Sequence, residues 1–401
     1  MQQPELVASF ESLPDLALRS VGGSVIAAND ETFAEKENLI KAAAPTFAAY
    51  TFGHKGQVMD GWETRRRREA GHDWAIVRLG MPGVVRGVVV DTAFFTGNYP
   101  PECSLEAAFV DPLGVQPDPH ALADAHTVEW TELLTRSSLR GNSRHAFDVA
   151  GERLVTHVRL RIFPDGGVAR LRVHGEPVGD PRWLAARSFD LAGLEHGARV
   201  LGASNRFYSD PSNALVRGPA RVMGEGWETA RRRDDGNDWF EVVLATEGVV
   251  QQVEVDTSHF IGNAPGEVRL RGRRRAGEWV EIIARCPAGV DTRHRFVVTD
   301  QVPVDTLRLD IYPDGGLARL RTLGTPTPEG RAALFARWCD RLSETQALVA
   351  LRAFLDADQS WARLLVAARP LTDAAGVAAA VAKAAAGGPS PDEQRLRGLF
   401  G

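Results

Sequence analysis

Acidic and basic side chains recur in a fixed order at two places in the sequence, and their types suit acid–base chemistry on a small anion. Residues 60–74 read DGWETRRRREAGHDW, and residues 225–239 read EGWETARRRDDGNDW. Glu63 and Glu228 occupy the same position in the two segments, and a carboxyl group with a suitable pKa can act as a general acid or base. The arginines three and four residues later can bind a carboxylate through the planar guanidinium group. These arginines are Arg66, Arg67, Arg231 and Arg232.

The two segments belong to a repeat that extends through most of the chain. Ten of their fifteen positions are identical at a constant offset of 165. Asp91–Pro100 recurs at the same offset as Asp256–Pro265, and Phe163–Arg172 recurs at an offset of 149 as Tyr312–Arg321. Two units of this length, each with its own turns, indicate a tandem domain repeat. A solvated surface does not require the same Glu-Thr-x-Arg-Arg-Arg spacing twice, which favours a functional role or an interface role for these charges.

Within the repeated motifs, each unit carries one histidine that the other lacks. His72 corresponds to Asn237, and His259 corresponds to Phe94. Drift at surface positions is one explanation. The other is a single composite site that uses a different part of each unit, with His72, Glu63, Glu228 and His259 as the catalytic residues. The first unit also carries about ten extra residues, between Asn38 and Met59, that the second lacks.

The remaining predicted site residues come from the same motifs and from the loop of the second repeated block. The predicted substrate-binding residues besides the arginines are Asp60, Trp62, Trp227, Asn98 and Asn263. Trp74 and Trp239 are interpreted as strand starts that pack in the core or against a hairpin. Asp91 and Asp256 follow strands and precede threonine, so a turn role and a substrate contact both stay open. No His-x-His, His-Glu-x-x-His or paired-cysteine spacing is present. No metal site or cofactor is therefore predicted, and a weakly bound divalent metal is left open.

The composition indicates a soluble globular protein. The 401 residues carry a formal net charge of −5, and 44% are hydrophobic and 25% charged, which are average values. This charge gives no basic surface for nucleic acid. No apolar run approaches the ~20 residues of a membrane span. The cysteines Cys103, Cys286 and Cys339 do not share repeat positions. This argues against a disulfide framework and predicts a reducing, cytoplasmic location.

Short strands with a two-residue alternation dominate the sequence before residue 325. Residues 157–163 and 306–312 alternate apolar with charged side chains, and each stretch runs into Pro-Asp-Gly-Gly. The chain then returns through a second apolar stretch, which predicts a hairpin in each unit. The arginines of the returning strands, Arg170 and Arg319, are predicted to face outward. Many short strands without amphipathic helices indicate antiparallel sandwiches of the jelly-roll kind.

The predicted fold is all-β with a small α-helical tail. Two tandem jelly-roll domains are predicted at residues 1–180 and 181–326. Residues 327–401 are rich in Ala, Leu and Arg at helical spacing, and they end in a polar stretch at 387–392. If this tail is an appendage, a chain that ends near Thr325 should keep its fold and its catalytic rate.

The three motifs together resemble those of the allantoicase family. The resemblance covers roughly residues 20–325 and rests on MDGWETRR with GHDW behind it, on DTxxFxGNxP and on PDGGxARLR. It implies two repeated jelly-roll domains and an intracellular enzyme of purine degradation that hydrolyses allantoate to ureidoglycolate and urea. Residues 359–371 of the tail resemble the first helices of the decarboxylase that acts on 2-oxo-4-hydroxy-4-carboxy-5-ureidoimidazoline. The tail contains no histidine, and therefore lacks the His-Pro motif of that family, so no decarboxylase activity is expected.

A binding function and a scaffold function are the alternatives to hydrolysis. A discoidin-like module for carbohydrates or other small molecules fits a jelly roll, because fold alone does not decide function. Sugar sites favour exposed aromatic side chains, whereas the residues repeated here are mainly Arg, Glu and Asp. Allantoate is a small carboxylate with two ureido groups, and it needs a cation, N–H acceptors and an acid–base pair. The repeated residue types supply all three, which favours the hydrolase. A homo-oligomer is expected, and the identity of the general base is left open.

Overall fold

The chain folds into two compact units, Met1–Pro177 and Val178–Gly401. The structure, a computed structural model, describes residues 9–124, 127–185, 187–356, 358–386 and 399–400. Each unit contains one copy of the repeat, and the C-terminal helices belong to the second unit. The predicted polar stretch at 387–392 lies outside the described residues.

Antiparallel strands form the first unit. They are β1 (Ser24–Ala28), β2 (Phe52–Gly53), β3 (Gly56–Gln57), β4 (Trp62–Glu63), β5 (Asp73–Asp91), β6 (Glu102–Ala108), β7 (Thr131–Ser138), β8 (Arg144–Asp148), β9 (Leu154–Phe163), β10 (Gly167–Val168) and β11 (Arg170–Pro177). The first half of β5 pairs with β1 and β9, and β9 continues to β6 and β7. The second half of β5 pairs with β11 and β8. The long strand β5 therefore connects the two layers of the sandwich.

The predicted hairpin at Pro-Asp-Gly-Gly is wrong, because β9 and β11 do not pair with each other. Asp73 at the start of β5 lies opposite Ile162, whereas Asp91 at its end lies opposite Arg170. The motif thus carries the chain from β9, which pairs with the first half of β5, to β11, which pairs with the second half. Alternation of apolar and polar residues sets which face of a strand is buried, but it does not identify the strand's partner.

The alternation itself is confirmed in β9 and fails at the start of β11. Val158, Leu160 and Ile162 are fully buried, while Arg159 between them is only half-buried. Arg170 was predicted to face outward, but it is 2% exposed. Its guanidinium group forms hydrogen bonds that offset the cost of burying a charge. Arg319, the equivalent residue in the second unit, is 3% exposed.

The second unit repeats this architecture. Its strands are β12 (Phe189–Asp190), β13 (Arg199–Ala203), β14 (Trp227–Glu228), β15 (Asp238–Asp256), β16 (Glu267–Arg273), β17 (Val280–Pro287), β18 (Arg293–Val297), β19 (Pro303–Tyr312), β20 (Gly316–Leu317) and β21 (Arg319–Pro326). The long strand β15 pairs with β13 and β19 in its first half and with β21 and β18 in its second half. The sheet order matches that of the first unit, apart from the added edge strand β12 and the short β2–β3 pair, which has no counterpart among the described strands of the second unit.

Helices cover one part of the second unit. They are α1 (Pro181–Leu184), α2 (Pro328–Arg341), α3 (Glu344–Leu355), α4 (Gln359–Ala367) and α5 (Ala374–Ala386). Thr327 caps α2 by accepting a hydrogen bond from the Gly330 amide at 3.0 Å. Thr246 at the corner of β15 donates to the carbonyl oxygen of Gly330 at 2.7 Å, so α2 is tied to the sandwich. Within the described ranges, no helix is long and apolar enough to cross a membrane.

Candidate active site

Glu63 lies on the short strand β4, where its carboxylate meets Asn98 from the loop after β5. The Asn98 Nδ2 atom donates a hydrogen bond to Glu63 Oε1 at 2.7 Å. The side chain of Glu63 is half-buried, and burial raises the pKa of its carboxyl group, which the hydrogen bond from Asn98 partly counteracts. A raised pKa brings the proton equilibrium of this group closer to neutral pH, as general acid–base catalysis requires.

The Pro-Asp-Gly-Gly turn holds this Glu–Asn pair in place. The Gly167 amide donates to the Asn98 carbonyl oxygen at 2.7 Å, which fixes the Asn98 loop. Gly166 has a φ of 141°, a conformation that favours glycine. A Cβ atom on Gly167 would lie 2.0 Å from the ring of Phe95, so only glycine lets this ring pack beneath the strand. The two glycines of this motif are therefore required by the turn itself.

The second unit contains the same pair in the same setting. Asn263 Nδ2 donates to Glu228 Oε1 at 2.6 Å. The Gly316 amide donates to the Asn263 carbonyl oxygen at 2.8 Å, and a Cβ atom on Gly316 would lie 2.1 Å from the ring of Phe260. Four of the predicted site residues are therefore brought together in two equivalent pairs, one in each unit.

The predicted substrate arginines separate into two kinds. The Nη1 atom of Arg67 lies 2.6 Å from Asp73 Oδ1, and Arg232 makes the same contact with Asp238 at 2.9 Å. Asp73 and Asp238 are buried at the first residue of their long strands. Arg67 and Arg232 therefore anchor the motif to the sandwich, and the prediction that they bind substrate is not supported. Sequence reasoning missed these aspartates, although the repeated Asp-Trp dipeptide marks both of them.

Arg66 and Arg231 are the arginines that the structure leaves accessible. Both side chains are exposed. No hydrogen bond or ion pair to either guanidinium group is found in the described part of the chain. Each lies three residues after the glutamate of its Glu–Asn pair, so it can offer a free cation to a carboxylate.

Trp62 and Trp227 were predicted to contact the substrate, but both side chains are buried in the core. Trp62 and Trp227 are both 0% exposed. Each indole N–H donates to a backbone carbonyl oxygen, Asp30 at 2.7 Å and Asn205 at 3.0 Å. They are core residues with satisfied hydrogen bonds, because a buried indole N–H needs a partner. Trp74 and Trp239 are the second residues of β5 and β15, which confirms that they lie at strand starts, and both are half-buried. The guanidinium carbon of Arg308 lies 4.1 Å from the Trp239 ring centroid.

Asp60, another predicted substrate residue, is occupied by two cations of its own unit. Arg170 Nη2 lies 2.7 Å from Asp60 Oδ2, and Lys41 Nζ lies 3.0 Å from Oδ1. Burial alone would raise the pKa of Asp60, but the hydrogen bonds from Arg170 and Lys41 outweigh it and lower the pKa to about 2. Asp60 therefore stabilises the loop that carries Lys41. In the second unit Glu225 pairs with Arg221 at 2.5 Å instead.

The two predicted catalytic histidines are not joined to the Glu–Asn pairs. The His72 ring packs against Phe163 with the ring centroids 5.2 Å apart, and burial together with the charge of Arg161 lowers its pKa. His259 is exposed, and its Nε2 atom lies 3.0 Å from the Ala220 carbonyl oxygen. The catalytic role of these histidines stays a prediction that this geometry does not support. In the part of the chain that the structure describes, no group of three His, Cys, Asp or Glu side chains is arranged to hold a metal ion.

Comparison with known proteins places this arrangement in a family. The sequence model of the allantoicase repeat matches residues 14–178 and 189–327. This chain belongs to the allantoicase family. A Nocardia farcinica protein named "Probable allantoicase" is 55% identical over 317 residues, which span 79% of this chain and 95% of that protein. A Streptomyces avermitilis protein of the same name is 48% identical over 341 residues, 82% of this chain and 90% of that protein.

The crystal structure of allantoicase from Saccharomyces cerevisiae has the same fold. It is 32% identical to this chain with a TM-score of 0.67, and the match covers 79% of this chain and 96% of that one. The predicted all-β fold of two tandem jelly rolls with a helical tail is confirmed. Membership of the allantoicase family disfavours the alternative of a discoidin-like binding module. The family match ends at residue 327, so the resemblance of the tail to a decarboxylase stays a prediction.

Proposed function

We propose that this chain hydrolyses allantoate to ureidoglycolate and urea, with Glu63 and Glu228 as the acid–base groups. The observation that carries the assignment is the Glu–Asn pair, which recurs with the same hydrogen bond in both units of an allantoicase-family chain. An exposed arginine three residues after each glutamate supplies the cation that a carboxylate substrate needs. This places the chain among the hydrolases that act on C–N bonds of linear substrates.

The reaction requires one proton to move from water to the departing nitrogen. The bond between the central carbon of allantoate and one ureido nitrogen breaks, a C–O bond to water forms, and urea leaves. A half-buried carboxyl with a raised pKa, as in Glu63, suits this proton transfer. The amide of Asn98 fixes the orientation of the carboxyl group, because its hydrogen bond engages one of the two carboxylate oxygens. Arg66 is proposed to bind the substrate carboxylate through its planar fork.

A urea-release assay on purified protein tests the activity. Allantoate is expected to yield urea, whereas allantoin, the cyclic ureide, is not, since the family motifs match the enzyme for the open-chain substrate. We propose that no cofactor is needed, so a chelator should leave the rate unchanged. Loss of activity with chelator and its recovery with a divalent metal would contradict that part. Background urea release from allantoate at substrate levels well above ~1 mM would contradict the assignment itself.

Replacing Arg66 by alanine is expected to lower kcat/KM for allantoate about 10- to 100-fold, the usual cost of one hydrogen bond to a charged group. Arg66→Lys should restore part of the loss, because lysine keeps the charge but not the planar fork. Arg68→Ala is the matched control, since Arg68 is also exposed in the same run. Equal losses in the Arg66 and Arg68 variants would show a general effect of positive charge instead of a carboxylate contact.

We also propose that the protein is a cytoplasmic homo-oligomer. The three cysteines are free, which fits a reducing compartment. Large apolar side chains are exposed on the second unit, among them Phe207 at 71% and Ile261 at 70%, and apolar exposure of this kind favours association. Light scattering coupled to gel filtration measures the mass directly, and a value near 43.6 kDa would contradict the oligomer.

A further inference from the structure

A pocket in the first unit is formed by residues other than the Glu63–Asn98 pair. It lies where β5 ends and β8 begins, and its volume is about 330 Å³. It is an open depression on the surface of the first unit. The residues that line it are Pro45, Asp91, Ala93, Phe94, Asn142, Ser143 and Arg144.

Asp91 provides a hydrogen-bond acceptor in this pocket. One of its carboxylate oxygens, Oδ1, accepts from the Ala93 amide at 2.8 Å, which holds the turn after β5. The other oxygen has no hydrogen-bond partner in the described part of the chain. The side chain is half-buried, and burial raises the pKa of Asp91. A carboxylate that burial destabilises gains from a ligand that donates N–H groups to it.

Arg144 lines the same pocket, but its charge is already paired. It lies opposite Asp91 across β5 and β8. Its guanidinium group turns to the carboxylate of Glu11, with an Nη1–Oε1 distance of 3.2 Å. The pocket therefore offers a free acceptor without a free cation, which disfavours an anionic ligand.

The one aromatic residue among the lining residues is Phe94, and a second ring packs against it. The rings of Phe47 and Phe94 are stacked with centroids 5.8 Å apart and planes inclined by 20°. Pro45 lies two residues after Ala43, whose carbonyl oxygen accepts from Arg170 as that of Gly218 accepts from Arg319, so Pro45 corresponds to Ala220. The Phe94 backbone has a φ of 67°, and Asn142 Oδ1 accepts a hydrogen bond from its amide at 2.8 Å. Phe94 is 41% exposed beside the acceptor, so its ring can stack on a planar group.

The equivalent position in the second unit is closed. Asp256 is 1% exposed, and its carboxylate lies 3.4 Å from the cross-strand Arg293. His259 takes the place of Phe94 with a similar φ of 72°, and its Nε2 atom contacts the Ala220 carbonyl oxygen. The fold alone therefore does not require an open carboxylate here. In the second unit Arg293 lies against Asp256, whereas the equivalent Arg144 of the first unit is paired with Glu11.

We propose that this pocket is a binding site, separate from the Glu63–Asn98 pair, for a small molecule that presents a planar group rich in N–H donors. Ureido and guanidinium groups have this chemistry, and they match one carboxylate acceptor beside an aromatic ring. A metal ion is disfavoured, because Asp91 is the one carboxylate among the lining residues. The site is independent of which residues carry out hydrolysis.

Binding of two probes, urea and methylguanidinium, to the full-length protein tests this proposal by ligand-detected NMR titration. The Asp91→Asn variant keeps the oxygen that accepts from Ala93, so the turn should survive, but it removes the charge. We expect it to weaken methylguanidinium binding at least tenfold and urea binding less. Phe94→His, which introduces the residue of the second unit, should weaken both probes. A thermal melt of each variant verifies folding.

Glu63→Gln is the control that separates the two sites. It should leave the binding of methylguanidinium unchanged, while urea release from allantoate, measured independently, reports on the proposed active site. The proposal is overturned if neither probe saturates, if the folded Asp91→Asn variant binds like the wild type, or if Glu63→Gln abolishes probe binding. Preferential loss of methylguanidinium on Asp91→Asn would show that the carboxylate of Asp91 contacts the probe, whereas equal loss of both probes would contradict this contact.

Discussion

Substituting Glu63 by glutamine is expected to lower kcat for allantoate by roughly 10²–10⁴, the usual scale for the loss of a general acid or base. In the wild type, Asn98 Nδ2 donates a hydrogen bond to Glu63 Oε1 at 2.7 Å. Glutamine has nearly the same shape, and its side-chain oxygen can accept the same hydrogen bond. The substitution therefore removes the titrating group and little else. Steady-state kinetics by urea release give kcat and KM separately, and a change confined to KM would contradict the acid–base role.

The same substitution should not destabilise the protein at neutral pH. Burial raises the pKa of Glu63 in the folded state above its unfolded value. The ionised form therefore opposes folding at a pH above the folded pKa, and this cost disappears as the pH falls below the unfolded pKa. Glutamine is neutral throughout, so Glu63→Gln should melt at or above the wild-type temperature at pH 7. A lower melting temperature would show that lost activity reflects damage to the fold.

Glu228→Gln shows whether catalysis depends on both units. The sequence predicts a composite site, in which case each single substitution should remove most of the activity. Two independent sites would leave about half of the activity in each single variant and almost none in the double variant. His72→Asn and His259→Phe are matched controls, because each converts one copy of the repeat into the other. Full activity in both would exclude the predicted catalytic role of the histidines.

Removal of the C-terminal helices is expected to unfold or precipitate the second unit. Trp338 of α2 is 1% exposed, and the guanidinium carbon of Arg182 in α1, outside the tail, lies 4.8 Å from its ring centroid. A buried side chain of this size contributes about 1.5–3 kcal/mol, a sizeable part of the roughly 5–15 kcal/mol that is typical of a whole domain. The prediction that the tail is a removable appendage is therefore not supported.

The contacts of α2 with the sandwich determine where the chain should be shortened to test this prediction. Thr327 Oγ1 donates to Glu247 Oε1 at 2.9 Å, and a Cβ atom on Gly330 would lie 2.1 Å from the Glu247 carbonyl oxygen. A chain that ends at Thr327 loses all of α2, whereas a chain that ends at Leu342 keeps it. Soluble yield and thermal melting should fall much more for the shorter chain. Equal melting temperatures for the full chain and the chain ending at Thr327 would restore the appendage interpretation.

The sequence by itself determined the repeat, the strand faces and the two residues of each Glu–Asn pair. A constant offset of 165 aligns Glu63 with Glu228 and Asn98 with Asn263. Identical spacing in two copies means that a contact made in one copy can be made in the other. The two-residue alternation of residues 157–163 is a local property, because successive side chains of a strand point to opposite faces. These inferences need no knowledge of the partner strand.

Only the tertiary structure decided which of the similar residues in a motif are free to react. Arg66 and Arg67 are neighbours of the same type, yet Arg67 is paired with the buried Asp73 while Arg66 is exposed. Trp62 looked like a substrate contact, but it is enclosed by the core. The carboxylate of Asp91 is open, whereas its repeat partner Asp256 is closed by Arg293. Each outcome depends on residues distant in sequence, because burial and ion pairing are set by packing between strands and loops rather than by local spacing.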